Sequence, residues 1–274
     1  MMNLLDRTKK ICQEEQIKPS RNKGQNFLID DSYYDEIIRA SNLQNTDVVL
    51  EVGPGLGFLT EKIAKKSAKL ITVELDETIQ DYIKRKKNKE KIENLELVRK
   101  NILDLEPEVK YNKIIANLPY NITSRFLQIF LSTRARPDFF VLMLQKEVVD
   151  RICAKPGKMS LLGISVQYFS SPELICNVPK NVFWPEPKVD SAVVKLVCNK
   201  EAFVEKMKPI EKEFFRLVKI GFSSKRKMLK NNLTSGYQIS QKQAEEYIIK
   251  SGLDAKVRAQ ELSLENWLKL LGSF

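Results

Sequence analysis

Short apolar runs that alternate with stretches of helical spacing predict an α/β protein, a doubly wound and mostly parallel sheet followed by a small all-helical domain. Three observations carry that prediction. From about residue 30 to residue 198, strand-like runs and helix-like stretches alternate, the pattern of a sheet covered on both faces. A glycine-rich turn, Gly53-Pro-Gly55-Leu-Gly57, joins the first of these runs to its helix, as in Rossmann-like folds. Past about residue 200 the strand signals stop while apolar residues continue at helical spacing. The expected domains are therefore 1–198 and 199–274.

Asp47-Val-Val-Leu-Glu-Val-Gly53 is the first strand, and Phe58-Leu-Thr-Glu-Lys-Ile-Ala-Lys65 has helical spacing directly after the turn. Lys69–Glu74 is the second strand. Ile79, Tyr82 and Ile83 then mark a helix that runs into Lys84-Arg-Lys-Lys87, which is read as a solvated helix end. Leu95–Val98, Ile114–Ala116 and Phe139–Leu144 are further strands, with a helix over Ser124–Leu131 between the last two. Leu174–Val178 and Ser191–Val197 lie close enough together to pair at an antiparallel edge. In the second domain Phe214, Leu217 and Val218, then Tyr247, Ile248 and Leu253, then Leu264, Trp267, Leu268 and Leu271 keep helical spacing.

Composition narrows the chemistry. The chain has 274 residues, is 43% apolar and contains no histidine. Without an imidazole there is no Ser-His-Asp or Cys-His catalysis, no imidazole metal site and no imidazole base, so the reaction must need little proton management. Cys12, Cys153, Cys176 and Cys198 lack C-x-x-C spacing, which argues against zinc and against a disulfide scaffold. Cys153 and Cys176 read as small buried hydrophobes. No run approaches a membrane span, and Met1–Lys10 lacks the apolar core of a signal peptide, so a cytoplasmic protein is expected. The net charge of +11 points to a polyanionic partner.

The most informative residues are Asn117-Leu118-Pro119-Tyr120 at the end of a strand. Pro119 fixes its own φ, lacks an N–H and disfavours helix at Leu118, so the Asn117 and Leu118 carbonyls can project from a stiff strand end. The Asn117 side-chain oxygen and a neighbouring carbonyl can each accept one hydrogen of an exocyclic –NH2, while the Tyr120 ring offers a face for the base. An adenine N6 meets both demands. In a doubly wound sheet a nucleotide sits beyond the carboxyl ends of the strands, where Gly53 and Gly55 admit close approach of the backbone. Phe58 stands where a dinucleotide fingerprint would continue, which weakens an NAD reading. Glu74, roughly twenty residues beyond the turn, can accept both hydroxyls of a ribose. Together these features point to S-adenosylmethionine.

These segments also resemble a known family, the ribosomal RNA adenine dimethyltransferases of the KsgA type. The resemblance is carried by Gly24-Gln-Asn-Phe-Leu28, Glu51–Gly57, Glu74-Leu-Asp76, Asn117-Leu-Pro-Tyr-Asn-Ile122, Met143–Arg151, Pro185–Val194 and Phe222–Leu233, in the family's order. It implies a class I methyltransferase fold in which residues 1–30 form an extension contributing to the cofactor site. It implies cofactor contacts from Asn26, Leu28, Gly53, Glu74 and Asn117, with Gly55 in the same turn. The implied activity is dimethylation of two adjacent adenosines in small-subunit (16S) ribosomal RNA, with a role in ribosome assembly. Where the family usually places Asp after the third strand, this sequence has Asn101, which keeps one acceptor oxygen but loses the charge. Asp104 is a second candidate there, and a purely turn-shaping Asn101 is a third.

Two other readings share parts of this pattern. Large-subunit rRNA adenine methyltransferases of the macrolide-resistance type have a similar sheet and cofactor turn, and a noncatalytic RNA-binding assembly factor can retain the fold. Asn121-Ile122 and Pro185–Val194 look more like the small-subunit family.

The expected mechanism uses Asn117, Leu118 and Tyr120 to aim the N6 lone pair at the methyl donor, with Phe27 or Phe222 available as a second stacking face. Phe27 and Phe222 read equally as packing residues. No metal is expected. The helical domain carries Lys225, Arg226, Lys227 and Lys230, with no acidic residue between Arg216 and Lys230, and this cluster suits an RNA backbone. The expected partners are small-subunit rRNA and the small ribosomal subunit, engaged by a monomer.

Overall fold

A computed structural model describes residues 2–20, 24–107, 111–133, 136–199 and 208–274. The chain divides into two units, Met1–Val149 with Glu173–Cys198, and Asp150–Pro172 with Asn199–Phe274. The second unit thus begins earlier than the cut expected at residue 198. Its helix α7 (Leu161–Phe169) is held by aromatic packing, since Tyr168 stacks on Phe214 with ring centroids 4.7 Å apart and Phe169 stacks on Phe215 at 5.5 Å. Burial of these rings, not chain order, assigns the segment.

The first unit is built on a seven-stranded sheet. Its strands are β2 (Val48–Val52), β3 (Lys69–Glu74), β4 (Leu95–Arg99), β5 (Lys113–Asn117), β6 (Phe139–Gln145), β7 (Ser170–Val178) and β9 (Ser191–Cys198), in the spatial order β4-β3-β2-β5-β6-β9-β7. β4, β3, β2, β5 and β6 pair in parallel, and β9 runs antiparallel to β6. Central strands of such a sheet are covered on both faces, which is why they read as unbroken apolar runs. Val49, Leu50, Ile114, Ile115, Phe140 and Val141 are fully buried. β2 has β3 on one side and β5 on the other, so the winding reverses at β2 and a crevice opens beyond its carboxyl end.

Helices flank these strands: α3 (Phe58–Ala64), α4 (Glu77–Glu90) and α5 (Thr123–Leu131) fall on the expected segments, and α6 (Lys146–Ile152) directly follows β6. Asp76 caps α4 by accepting from the N–H groups of Thr78 and Ile79. The N-terminal segment adds two helices that the sequence reading does not place. α1 (Leu4–Glu14) is capped by Asn3, and α2 (Asp31–Ser41) buries Tyr34, Ile37, Ile38 and Ser41 at helical spacing behind its Asp30 cap. Between them a short strand β1 (Phe27–Leu28) pairs antiparallel with β8 (Phe183–Trp184), tying the N-terminal segment to the body of the unit.

Two expectations need correction here. Lys86 is not part of a solvated helix end: it is only 9% exposed, ion-paired with Glu61 and Glu90, and its ammonium lies over the Phe58 and Tyr82 rings. Its position on the inner face of α4 lets the apolar stem pack while two carboxylates satisfy the head. Cys153 and Cys176 are half-buried, and Cys12 and Cys198 are the buried pair. All four are free thiols.

The second unit contains α8 (Lys208–Gly221), α9 (Leu229–Tyr237), α10 (Gln241–Lys250) and α11 (Leu264–Leu271). Phe214, Leu217, Val218, Leu229, Leu233, Ile248 and Trp267 are among its fully buried side chains. Gly221 is required by that packing, because a Cβ there would stand 2.2 Å from the Trp267 ring. Leu253 lies beyond α10, and Leu268 is exposed. Among the described residues no helix is long and apolar enough to cross a membrane.

Candidate functional site

A cavity of about 290 Å³ opens at the carboxyl ends of β2, β3 and β5. The turn after β2 forms its floor. Gly53, Gly55 and Gly57 have φ of +70°, +54° and +78°, conformations an L side chain adopts only under strain. A Cβ on Gly53 would meet nothing within 4 Å, so that face of the turn is open to a ligand. A Cβ on Gly55 would stand 3.3 Å from the Phe27 ring, so that side of the turn is closed.

The turn is pinned from beneath by Glu51. This fully buried carboxylate accepts from the Thr60 hydroxyl on α3 at 2.8 Å and from the Thr72 hydroxyl on β3 at 2.9 Å, while Oε1 has no hydrogen-bond partner among the described residues. Burial pushes its carboxyl up to about 7; the two threonine hydrogen bonds oppose that rise and the nearby Glu74 charge adds to it. Glu51 is structural in position and does not border the cavity.

Every residue expected to contact the cofactor borders this cavity: Asn26, Leu28, Gly53, Gly55, Glu74, Asn101 and Asn117. Glu74 is oriented by its own backbone, since Oε1 accepts from the N–H groups of Leu75 and Asp76, both at 2.7 Å. Asn101 Oδ1 accepts from Leu103 N–H at 3.1 Å, so it shapes the turn while its side chain also borders the cavity. Its remaining polar group, the –NH2, is a donor. Asp104 does not border the cavity. The segment carrying Asn26 and Leu28 is held by Gln25, whose Oε1 accepts from Ser20 N–H at 2.8 Å and whose Nε2 donates to Asp76 at 3.1 Å.

The strand end behaves as its sequence suggested in part. Asn117 closes β5, borders the cavity and makes no side-chain hydrogen bond among the described residues. The Leu118 side chain is buried in the core, and its N–H donates to the Met143 carbonyl at 3.2 Å. Only its carbonyl is available for chemistry. Neither Leu118 nor Tyr120 borders the cavity; Tyr120 lies just past Pro119, half-buried, with its hydroxyl 2.9 Å from Ser191 Oγ.

The cavity is also bordered by Leu75, Ile102, Gln25 and Asn121, to which the sequence reading assigns no role. Leu75 and Ile102 each directly follow a polar residue already singled out, and they add apolar wall to either side of Glu74 and Asn101. An apolar residue one step past a strand-end polar group is the signal that would have found them. Gln25 and Asn121 sit inside recognised segments, but their positions are set by contacts remote in sequence.

The basic cluster lies in the second unit. Lys225, Arg226 and Lys227 are exposed in the loop before α9. Lys230 differs from them: it is paired with Glu245 of α10 and mostly buried, because the helical fold brings in an acid absent from the local sequence. Phe222 packs against Trp267 with centroids 5.7 Å apart, as a packing residue would.

The donor set suits S-adenosylmethionine. An open glycine face, an oriented carboxylate and apolar walls match a nucleoside bearing a ribose and a flexible charged tail, and none of these groups forms a metal ligand set.

The family model for ribosomal RNA adenine dimethylases matches residues 17–274. The chain is 39% identical over 274 residues to ribosomal RNA small subunit methyltransferase A of Dehalococcoides mccartyi (strain CBDB1), covering 98% of this chain and 92% of the relative. It is 35% identical to the protein of that name from Alkaliphilus metalliredigens (strain QYMF), covering 96% and 94%. The crystal structure of a dimethyladenosine transferase from Plasmodium falciparum superposes with a TM-score of 0.77 at 28% identity, covering 88% of this chain and 94% of that one. The 23S rRNA methyltransferase ErmE shares the fold, with a TM-score of 0.75 at 23% identity, over 90% of this chain and 99% of that one.

Proposed function

The chain belongs to the ribosomal RNA adenine dimethylase family, and we propose that it dimethylates N6 of two adjacent adenosines in small-subunit ribosomal RNA, using S-adenosylmethionine. The observation that carries this reading is the Asn117 side chain, uncommitted among the described residues, at a stiff strand end beside the glycine turn and Glu74.

S-adenosylmethionine supplies an electrophilic methyl group on a sulfonium. Glu74 would hold the ribose hydroxyls, the Gly53–Gly55 backbone would lie along the amino-acid end, and Leu28, Leu75 and Ile102 would enclose the adenine. The rest falls to the strand end. The N6 lone pair of the target adenine is delocalised into its ring and is a poor nucleophile. Asn117 Oδ1 and the Leu118 carbonyl would accept its two N–H groups, favouring a pyramidal nitrogen with its lone pair directed at the donor. The Tyr120 ring would take one face of the extruded base and offset part of the unstacking cost. Once methylated, the nitrogen is cationic and strongly acidic, so water removes its proton and no histidine is needed. N6-methyladenine keeps one N–H, and one acceptor suffices for the second transfer.

The test is methyl transfer from labelled cofactor to unmethylated small and large ribosomal subunits, read by primer extension. Incorporation at two neighbouring adenosines of the small-subunit RNA is the expected result. Label confined to large-subunit RNA, or none in either, would overturn the reading.

A further inference from the structure

We propose that Ser191 is a positioning residue for methyl transfer, its hydroxyl fixing the plane of the Tyr120 ring against which the target base stacks; this rests on the function proposed above. The segment Pro185–Val194 was singled out in sequence without a chemical role, and the fold supplies one. Ser191 opens β9, directly opposite Gln145 of β6 in the ladder, and is fully buried. Ala192, Val193 and Val194 beside it are also fully buried, and packing alone would favour an apolar residue at such a position. The Ser191 hydroxyl is instead satisfied by one partner, the Tyr120 hydroxyl at 2.9 Å.

The anchor itself is rigid. Asp190, the preceding residue, accepts from Lys180 N–H through its carboxylate at 2.9 Å and from Lys146 N–H through its carbonyl at 3.0 Å. Tyr120 by contrast sits in a turn after Pro119, outside the ladder. A half-buried ring on a turn has freedom about χ1 and χ2, and a hydrogen bond to its far end removes most of it. Burial raises the Tyr120 phenol above its ordinary range, with the Ser191 bond opposing and the Asp190 charge adding. The phenol therefore keeps its proton at neutral pH and the bond persists. Stacking on a fixed ring holds the base in the orientation that Asn117 and Leu118 require, so the hydroxyl pair acts on the reacting geometry through Tyr120.

The experiment is a double-mutant cycle with Ser191→Ala and Tyr120→Phe, measuring kcat and KM for unmethylated small subunits together with Tm. Ser191→Ala should lower kcat by about five- to tenfold, the worth of one neutral hydrogen bond, with KM and Tm little changed. Tyr120→Phe, which keeps the ring and loses only the hydroxyl, should do the same, and the double variant should be no worse than either single one. Wild-type kcat in Ser191→Ala would overturn the inference. So would an equal further loss on adding Ser191→Ala to Tyr120→Phe, which would make Ser191 a sheet-packing residue. Should Ser191→Ala fail to fold, Tyr120→Phe alone decides, since wild-type turnover in that variant leaves the bond without a role. If the wild-type protein transfers no methyl group to small subunits, the proposed function fails and takes this inference with it.

Discussion

Gly24 lies so close to Pro119 that a Cβ on the glycine would stand 2.8 Å from the proline Cβ. The contact joins the N-terminal segment carrying Asn26 and Leu28 to the tetrapeptide carrying Asn117 and Tyr120. One end of that segment is tied to Asp76 through Gln25, and the other enters the β1–β8 pair. Residues 24–28 therefore span the cavity from the head of α4 to the end of β5.

Gly24→Ala is expected to damage both functions of the cavity at once. The glycine has φ of +66°, and neither the new methyl nor the proline ring can yield without moving backbone. Strain of about 1 to 3 kcal/mol should appear as weaker S-adenosylmethionine binding in calorimetry and as lower methyl transfer. Intact affinity and turnover would show that the segment moves independently of Pro119.

Asn117→Ala should separate chemistry from binding. The side chain acts on one amine, whereas RNA affinity is gathered over many phosphate contacts. We expect turnover to fall by about a hundredfold or more, the worth of two to three kcal/mol of orientation, while the Kd for RNA changes little. Matched losses in turnover and RNA binding would instead mark the strand end as structural.

Glu51 makes stability depend on pH in a predictable direction. Its folded carboxyl titrates near 7, above the ordinary 4.5, so the folded state holds the proton more tightly. That contribution is fully present below about pH 4.5 and is lost as pH rises to about 7, amounting to about 3 kcal/mol. Glu51→Gln keeps an acceptor for Thr60 and Thr72 and removes the titration. Urea denaturation across this range should show the wild type losing stability relative to the variant as pH rises, with the two curves parallel above 7. Parallel curves throughout would mean that Glu51 titrates in the folded protein as it does in the unfolded chain.

The exposed basic loop predicts a salt effect. Replacing Lys225, Arg226 and Lys227 with Ala should shallow the plot of log affinity against log salt by up to about 0.9 per lost duplex phosphate contact, with cofactor affinity unchanged. Lys230→Ala should leave the slope nearly unchanged and lower Tm instead, because its ammonium is already paired with Glu245. Filter binding at several salt concentrations distinguishes these outcomes. A triple variant with the wild-type slope would mark the loop as a solvated surface.

The local sequence determined the strands, the glycine turn and the residues at the ends of β2, β3 and β5, because burial on both faces writes continuous apolar runs and positive φ demands glycine. Gly53, Glu74 and Asn117 are therefore legible as neighbours in a crevice from the sequence itself, whereas Asn101 is legible only through the family resemblance. What chain order could not reveal was every relationship made by two remote segments. Glu245 reaches Lys230 across fifteen positions, Asp76 reaches Gln25 across fifty-one, and Ser191 reaches Tyr120 across seventy-one. Lys86 reads as a solvated cation until α4 turns it inward onto Phe58, and Asp150–Pro172 reads as part of the sheet domain until Tyr168 stacks on Phe214. Local propensity fixes which face a residue occupies, but the partner across that face exists only once the chain has closed, and it is the partner that decides whether a charge, a hydroxyl or a ring is exposed, neutralised or held for chemistry.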